Sequence, residues 1–587
     1  MRRCVTLVLA LLVAALSAVG NASLPSASAE PDTLRAGFAA RTITPIGEPP
    51  EGWDFWQNPR SGVWSEPFED ANANGCYDPG ERHTDDVRNS VIDPQSTGKW
   101  DGVWTNAGFG GRCAKGKFDD TWARAVVVSS GGKTVAMVSL DVVGFFNEEI
   151  EQARKELLAT RRVPALDGFI VASTHTHEGP DTMGLWGQLP HDGKFPLYQA
   201  FIRARIVEAV VAAYESMAPA AVRFGHGQAT HGTHPVTGAT LPIIQDSRPP
   251  QVIDPDVWTA QFVDPEGDTI GTIVNWSNHP EALWSGNPMI SSDYPHATRE
   301  MMERELGGIS VFFSGSVGGL MTTRSAPQGL TPYEWLELVG EEVAETAIAS
   351  LEGQPLLSDP TLDVAHQVFF LQMDNQSLRA LNTAGLFDKQ TYTAGVPSGT
   401  SGETTRTEMY AVKLGPAVFV TVPGELFPEI ALGVYGRPDC PAADTGRPHE
   451  PGIRQQFPDS SYHFVLGLGM DELGYIVPGY DFWSVGVDRP SGRGNNDPSN
   501  PQRWASRELG SSSALTYIGV EQATDPCGVR HYEETVSASS VMAPVVACTA
   551  AQLAGRDPWS DLAAYPACSP ENTKTGPMGT RPTNLLD

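Results

Sequence analysis

Residues 168–180 read GFIVASTHTHEGP, a short apolar run ending directly in two histidines. The run is too short for a buried helix and is bounded by Gly168 on one side and Gly179-Pro180 on the other, so it reads as a buried strand. On an extended chain, side chains two apart share a face, so His175 and His177 both point into one cavity at the strand's carboxyl end. Working outward, NEEIEQARKELLATRR (147–162) reads as an amphipathic helix, and ARAVVVSSGGKTVAMVSLDVVGF (123–145) as two strands around a Gly-Gly turn. RAGFAARTITP (35–45) reads as an opening strand. Downstream, helices are expected near 197–216, 295–305 and 332–351, alternating with strands at 269–277 and 309–315. Strands near 363–373, 408–414, 417–422 and 462–467, with a helix near 424–435, complete the same core. This alternation predicts an α/β fold with a layered mixed-sheet core. The expected organisation is a segment 1–29, a catalytic domain 30–485 with an irregular insert at about 50–118, and a loop-rich, disulfide-stapled extension 486–587.

The composition narrows the function. Forty basic residues against 70 acidic ones, a formal charge of −30 over 587 residues, disfavour nucleic acid and anionic membranes as partners. Arg2 and Arg3, an apolar run, and small residues at Ala27 and Ala29 form an export signal with cleavage expected after Ala29. The protein is therefore expected to be secreted, and no later run is long enough to span a membrane. Cys76, Cys113, Cys440, Cys527, Cys548 and Cys568 then read as disulfides; pairing of neighbours closes the shortest loops, although spacing alone does not fix the connectivity.

A second strand, TIGTIVNWS, runs into Asn278, His279 and Pro280, delivering a third imidazole to the same end of what reads as a parallel sheet. Ligands collect at the carboxyl ends of strands in open α/β sheets, and zinc accepts imidazole nitrogen and carboxylate oxygen while a catalytic site keeps one position open. Glu425, in VFVTVPGELFPEI after another apolar strand, is the candidate carboxylate. A rival nucleophile is Ser316 in SGSVG, which resembles a serine-hydrolase elbow but has serine where the first glycine belongs; a turn making room for the site is the alternative. His226, His231 and His234 in RFGHGQATHGTHP read as a solvated turn. Asp70, Asn72, Asn74, Gly75, Cys76 (through its carbonyl), Asp78 and Glu81 follow the twelve-residue EF-hand calcium pattern, read as an isolated structural loop. Calcium should therefore raise the melting temperature, and Glu81→Gln should abolish that shift. An unchanged calcium response in this variant would remove the loop from consideration.

Taken in order, AGFAARTITP, STHTHEGP, NHP with ISSDYP, FFSGSVGG, VPGELF and DELGYIVPGY resemble the successive motifs of the neutral (non-lysosomal) ceramidase family over residues 35 to about 480. HYEETVSAS at 531–539 is similar to a later RYEGAS segment of that family. The resemblance implies that family's N-terminal catalytic fold and a zinc-dependent amidohydrolase that cleaves the N-acyl amide bond of ceramide, placing the protein in sphingolipid metabolism with a lipid-like N-acyl amide as partner. It makes His175, His279, Glu425 and Tyr475 zinc ligands, and His177 and Tyr475 catalytic. The chain departs from the family where Met321 stands in the place of a serine beside the zinc, and where Ser292, Asp293 and Tyr294 replace an SGDN-like loop. The first departure implies slow turnover of ceramide and a different N-acyl amide or ester as the better substrate. A non-catalytic calcium-binding secreted protein and a serine esterase are the alternatives from other classes.

Overall fold

The computed structural model describes residues 33–45, 69, 71, 82, 105–107, 112–114, 116–186, 193–319, 321–393, 395–483 and 522–573. The export segment lies outside them, as do Asp70, Asn72, Asn74, Gly75, Cys76, Asp78 and Glu81 of the calcium pattern. The two residues flanking that pattern are joined, Glu69 N–H donating to the Arg82 carbonyl at 2.7 Å.

Three mixed sheets carry the fold among the described residues. In the first, Gly168–Ser173, Lys133–Leu140, Trp122–Ser130, Arg35–Thr42 and Ala218–Pro219 lie side by side in that order. The second is ordered Ile309–Ser314, Thr269–Trp276, Asp256–Val263, Ala221–Gln228. The third is built on Leu362–Gln372, Thr404–Leu414, Ala417–Thr421 and Tyr462–Leu466, extended at one edge by Thr391–Thr393 and Val396–Pro397. Antiparallel pairing dominates, but each sheet contains one parallel pair, respectively Lys133–Leu140 with Gly168–Ser173, Thr269–Trp276 with Ile309–Ser314, and Ala417–Thr421 with Tyr462–Leu466.

Helix Pro196–Glu215 covers the first sheet, with Asn147–Thr160 packed against that helix, and Tyr294–Leu306 and Pro332–Ser350 cover the second. Every residue of Gly168–Ser173 is buried, which is why that strand reads as an unbroken apolar run rather than an alternating one. Helix Pro332–Ser350 starts where the sequence signals it: the Thr331 hydroxyl accepts from Glu334 N–H, Glu334 reaches back to the Thr331 N–H, and Pro332 occupies the first turn. The sheets are tied by side chain to backbone bonds. The Ser139 hydroxyl donates to the Phe312 carbonyl, and the Asn275 amide donates to the carbonyls of Phe313 and Val465 at 2.9 Å each.

Several expectations are corrected here. The histidine-bearing strands belong to two different sheets, so the imidazoles meet where sheets pack together and not along one parallel sheet. In place of a helix at 424–435 the chain forms the short strand Glu425–Leu426, and a five-residue helix, Pro428–Leu432, follows because Pro428 can begin a helix but cannot sit inside one. The disulfide-stapled C-terminal extension is described over residues 522–573. There, helix Met542–Leu553 shares a buried cluster with Phe369, Leu371, Val420 and Tyr475 through Met542, Val545 and Val546 and through Val541 just before it. Disulfides Cys440–Cys527 and Cys548–Cys568 join neighbouring cysteines as the short loops favour, while the third expected pair has Cys76 outside the described residues.

Candidate active site

The chain turns inward just past one strand of each parallel pair. His175 stands two residues beyond Gly168–Ser173, His279 three beyond Thr269–Trp276 and Glu425 four beyond Ala417–Thr421. Turning His175 inward puts its backbone at φ +68°, the left-handed region that a non-glycine residue occupies only when its surroundings enforce it. Those surroundings are visible: His175 N–H donates to the Val142 carbonyl and His177 N–H to the Pro280 carbonyl, both at 3.0 Å. Arg112 clasps the same loop, donating to the His177 carbonyl at 2.5 Å and to Glu178, whose Oε2 also receives the Asn287 amide at 2.8 Å.

The tautomers follow from the partners. His175 Nδ1 lies 2.5 Å from the Val143 carbonyl and His279 Nδ1 lies 2.8 Å from the Met321 carbonyl. A carbonyl only accepts, so both Nδ1 atoms carry hydrogen and each neutral ring presents the Nε2 lone pair on its other side. Both lone pairs face one carboxylate oxygen: Glu425 Oε2 is 3.4 Å from His175 Nε2 and 3.1 Å from His279 Nε2. Three acceptors this close, all buried, repel one another unless a cation or a proton lies among them. Without a cation, burial works against a charged His279, yet its bond to Glu425 outweighs this and pushes the imidazole up to about 9; Glu425, despite its own burial, is drawn down to about 2 by His175 and His279. The spacing also matches the edge of a zinc tetrahedron, about 3.3 Å for bonds near 2.0 Å.

His177 belongs to the same group, since one ring nitrogen from each of His175, His177 and His279 lies within 4.8 Å of the others. Its Nδ1 is 3.2 Å from Glu281 Oε2, and burial together with the neighbouring histidines and Arg112 holds its pKa well below the ordinary value. It is therefore neutral near pH 7, a proton acceptor rather than a donor. Tyr475 is the parallel partner of Glu425 across the Glu425–Leu426 and Tyr475–Ile476 pair, and its ring centre is 6.4 Å from that of His279. The residues read from sequence as ligands and catalytic groups thus come together.

His175, His177, Glu425 and Tyr475 line a cavity that opens to solvent. Its walls are mostly apolar, Val143, Phe146, Met183, Leu378 and Phe387 among them. Glu472 and Tyr532 also line it. Both fall in segments that carry the resemblance, DELGYIVPGY and HYEETVSAS, but neither is singled out there, and Glu281 and the two carbonyls that orient the imidazoles have no residue signature.

Other candidates are placed elsewhere. The Ser316 hydroxyl donates to Asp254 Oδ2 at 2.8 Å, an oxygen also held by Arg454, and Ser316 does not line the cavity. Its glycine-rich turn serves packing, since a β-carbon on Gly318 would lie 2.6 Å from the Glu425 carbonyl oxygen. Ser316→Ala should therefore leave most hydrolytic activity; its complete loss in a folded variant would reinstate the esterase alternative. Met321 also differs from expectation. Its side chain is buried in the core beside Trp276 and accepts the Asp254 N–H at 3.4 Å, and its link to the site is its carbonyl. His226 and His231 lie in strands, not in a solvated turn, and His226 stacks on Trp258 at 4.1 Å while pairing with Asp256.

No family model matches the chain. Among solved structures it is similar to the neutral ceramidase from Pseudomonas aeruginosa, with a TM-score of 0.50 and 12% identity over 89% of this chain and 74% of that one. It is also similar to a structure described as ceramidase complexed with C2, at TM-score 0.46 and 13% identity over 76% of this chain and 69% of that one. The chain therefore has the mixed α/β fold of neutral ceramidase.

Proposed function

We propose that this protein is a divergent member of the neutral ceramidase family, a secreted, zinc-dependent hydrolase that cleaves the N-acyl amide bond of ceramide-like lipids. The observation that carries the reading is the convergence of His175 Nε2 and His279 Nε2 on Glu425 Oε2, with His175 and Glu425 lining a largely apolar cavity. His175, His279, Glu425 and Tyr475 would hold the metal, with His177 beside it. Bound there, zinc supplies Lewis-acid polarisation of the scissile carbonyl and a water acidic enough to attack at neutral pH.

The chain's own residues do the rest. The apolar wall of Val143, Phe146, Met183, Leu378 and Phe387 takes a hydrocarbon chain, which fixes the amide at the histidine end and excludes bulk water. His177, neutral and next to Glu281, is positioned to accept a proton at its ring and return it to the departing amine. Burial and the Glu425 charge hold the Tyr475 phenol well above its ordinary pKa, so in the absence of a cation it stays protonated and can donate a hydrogen bond. Export is supported by the N-terminal pattern of basic, apolar and small residues, and by two disulfides, which persist in oxidising compartments. No helix among the described residues is long and apolar enough to cross a membrane.

The test is a panel of fluorescent N-acyl sphingosines, other N-acyl amides and esters, assayed with and without chelator. Chelator-sensitive release of fatty acid from an N-acyl lipid is expected. Hydrolysis of none of them would favour a non-catalytic protein, and chelator-resistant hydrolysis of esters alone would favour a serine enzyme.

A further inference from the structure

We infer that Asp293 is a positioning residue for the metal centre, pinning the turn that carries His279. This rests on the metal-dependent reading above and gives a role to a residue that the reading leaves unused. Asp293 stands at φ +59°, ψ −157°, a region essentially reserved for glycine, at the head of helix Tyr294–Leu306. Capping a helix does not require that strain: Thr331 caps the next helix from an ordinary extended backbone at φ −74°, ψ 160°. Strained residues persist where their surroundings over-determine them, and here the surroundings are the turn that leads out of His279.

The conformation lets one carboxylate serve two segments. Its Oδ1 accepts the N–H of Tyr294 at 2.8 Å, as a cap does, and also the N–H of Ala282 at 3.0 Å, while Oδ2 accepts the N–H of Leu283 at 3.2 Å. Asp293 is fully buried, so solvent does not compete for these bonds. Ala282 and Leu283 close the turn that begins at His279. Within it, the Pro280 carbonyl accepts the His177 N–H at 3.0 Å, and Glu281 Oε2 lies 3.2 Å from His177 Nδ1. The Met321 carbonyl holds the beginning of the turn, accepting the His279 N–H at 3.0 Å with His279 Nδ1 2.8 Å away. Asp293 holds its other end. A ligand on a turn fixed at both ends keeps its aim, and loss of such an outer hydrogen bond commonly weakens metal binding about 10- to 100-fold.

Zinc affinity, measured on the full chain by competition with a chromophoric chelator, tests this without turnover. Glycine suits this backbone, so Asp293→Gly deletes the carboxylate while leaving the chain free to keep its path. It should bind zinc about 10- to 100-fold more weakly than wild type. Asp293→Asn keeps one oxygen for Ala282 and Tyr294 but offers an N–H₂ group to Leu283 in place of an acceptor. Its affinity should fall between those of wild type and the glycine variant, and it carries the test if the latter does not fold. Thr331→Ala is the control, since it removes a helix cap that bonds to Glu334 and not to the turn. It should lower the melting temperature and leave zinc affinity unchanged. Folded Asp293 variants that bind zinc as tightly as wild type overturn the inference. An equal loss of affinity in Thr331→Ala also overturns it, because the effect would then be general destabilisation. Failure of the metal reading would appear separately, as wild-type protein that binds no zinc.

Discussion

His279→Ala should strip the metal from the protein and lower N-acyl amide hydrolysis by on the order of 10³-fold or more, the equivalent of the several kcal/mol that a metal contributes to such a transition state. The variant removes one of two imidazoles whose tautomer is set by a backbone carbonyl, and leaves Glu425 facing His175 alone. Too few donors then remain for a stable site. Glu425→Gln should behave in the same way, because the amide removes the charge on which both Nε2 atoms converge while preserving shape. Elemental analysis, thermal melting and turnover should be read together, since loss of metal and activity with an intact fold is the expected pattern. Full occupancy and full activity in a folded His279→Ala protein would mean that the ligands lie elsewhere.

The second large effect is on stability. Arg248 is fully buried and donates to Glu533, Glu534 and Asp481 at 2.9–3.1 Å, with His531 Nδ1 at 2.9 Å. Arg437 completes the cluster through Asp481 at 2.8 Å and Asp525 at 3.1 Å. Removing one partner of a buried ion pair costs about 3–5 kcal/mol, because the remaining charge is stranded. Arg248→Met strands several carboxylates at once, so its loss should reach at least that range in denaturant unfolding, and many molecules should fail to fold. The segment it anchors carries Tyr532 into the cavity, so any folded fraction should also bind substrate less well. A variant with wild-type stability would show that the cluster is already neutralised by protonation.

The same cluster predicts acid sensitivity. Burial opposes the charge on Glu534, but Arg248 and His531 outweigh it and hold the carboxyl well below its ordinary value. Because its folded pKa is depressed, its contribution is fully present above the ordinary carboxylate range near pH 4 and is lost as the pH falls below it. Melting temperatures measured down through that range should fall more steeply for wild type than for Glu534→Gln. Parallel profiles would remove Glu534 as the cause.

Much of the fold was legible because buried strands and amphipathic helices leave periodic traces: Gly168–Ser173, Thr269–Trp276 and helix Pro332–Ser350 all lie where apolar runs and caps place them. What periodicity does not encode is which sheet a strand joins. His175 and His279 therefore read as neighbours on one sheet, whereas contacts distant in the chain bring two sheets together around them. The helix expected after Glu425 failed at Pro428, where the proline signal for a helix start outweighs the apolar run before it. Histidines and the glutamate were visible as chemistry at strand ends. Tyr475 came only through family resemblance; Glu472 and Tyr532 lie in segments that resemblance covered but are picked out only by the folded cavity, and Glu281 only by its contact with His177. Met321, read as standing in the place of a hydroxyl, also meets the site through its backbone carbonyl, a contact that any residue could supply.

The central claim is that His175, His279 and Glu425 hold a catalytic metal, and elemental analysis of the purified wild-type protein tests it most directly. About one zinc per chain, removable by chelator, is the predicted result for a site with this donor set. Protein that hydrolyses N-acyl amides at full rate while containing no stoichiometric transition metal would contradict it.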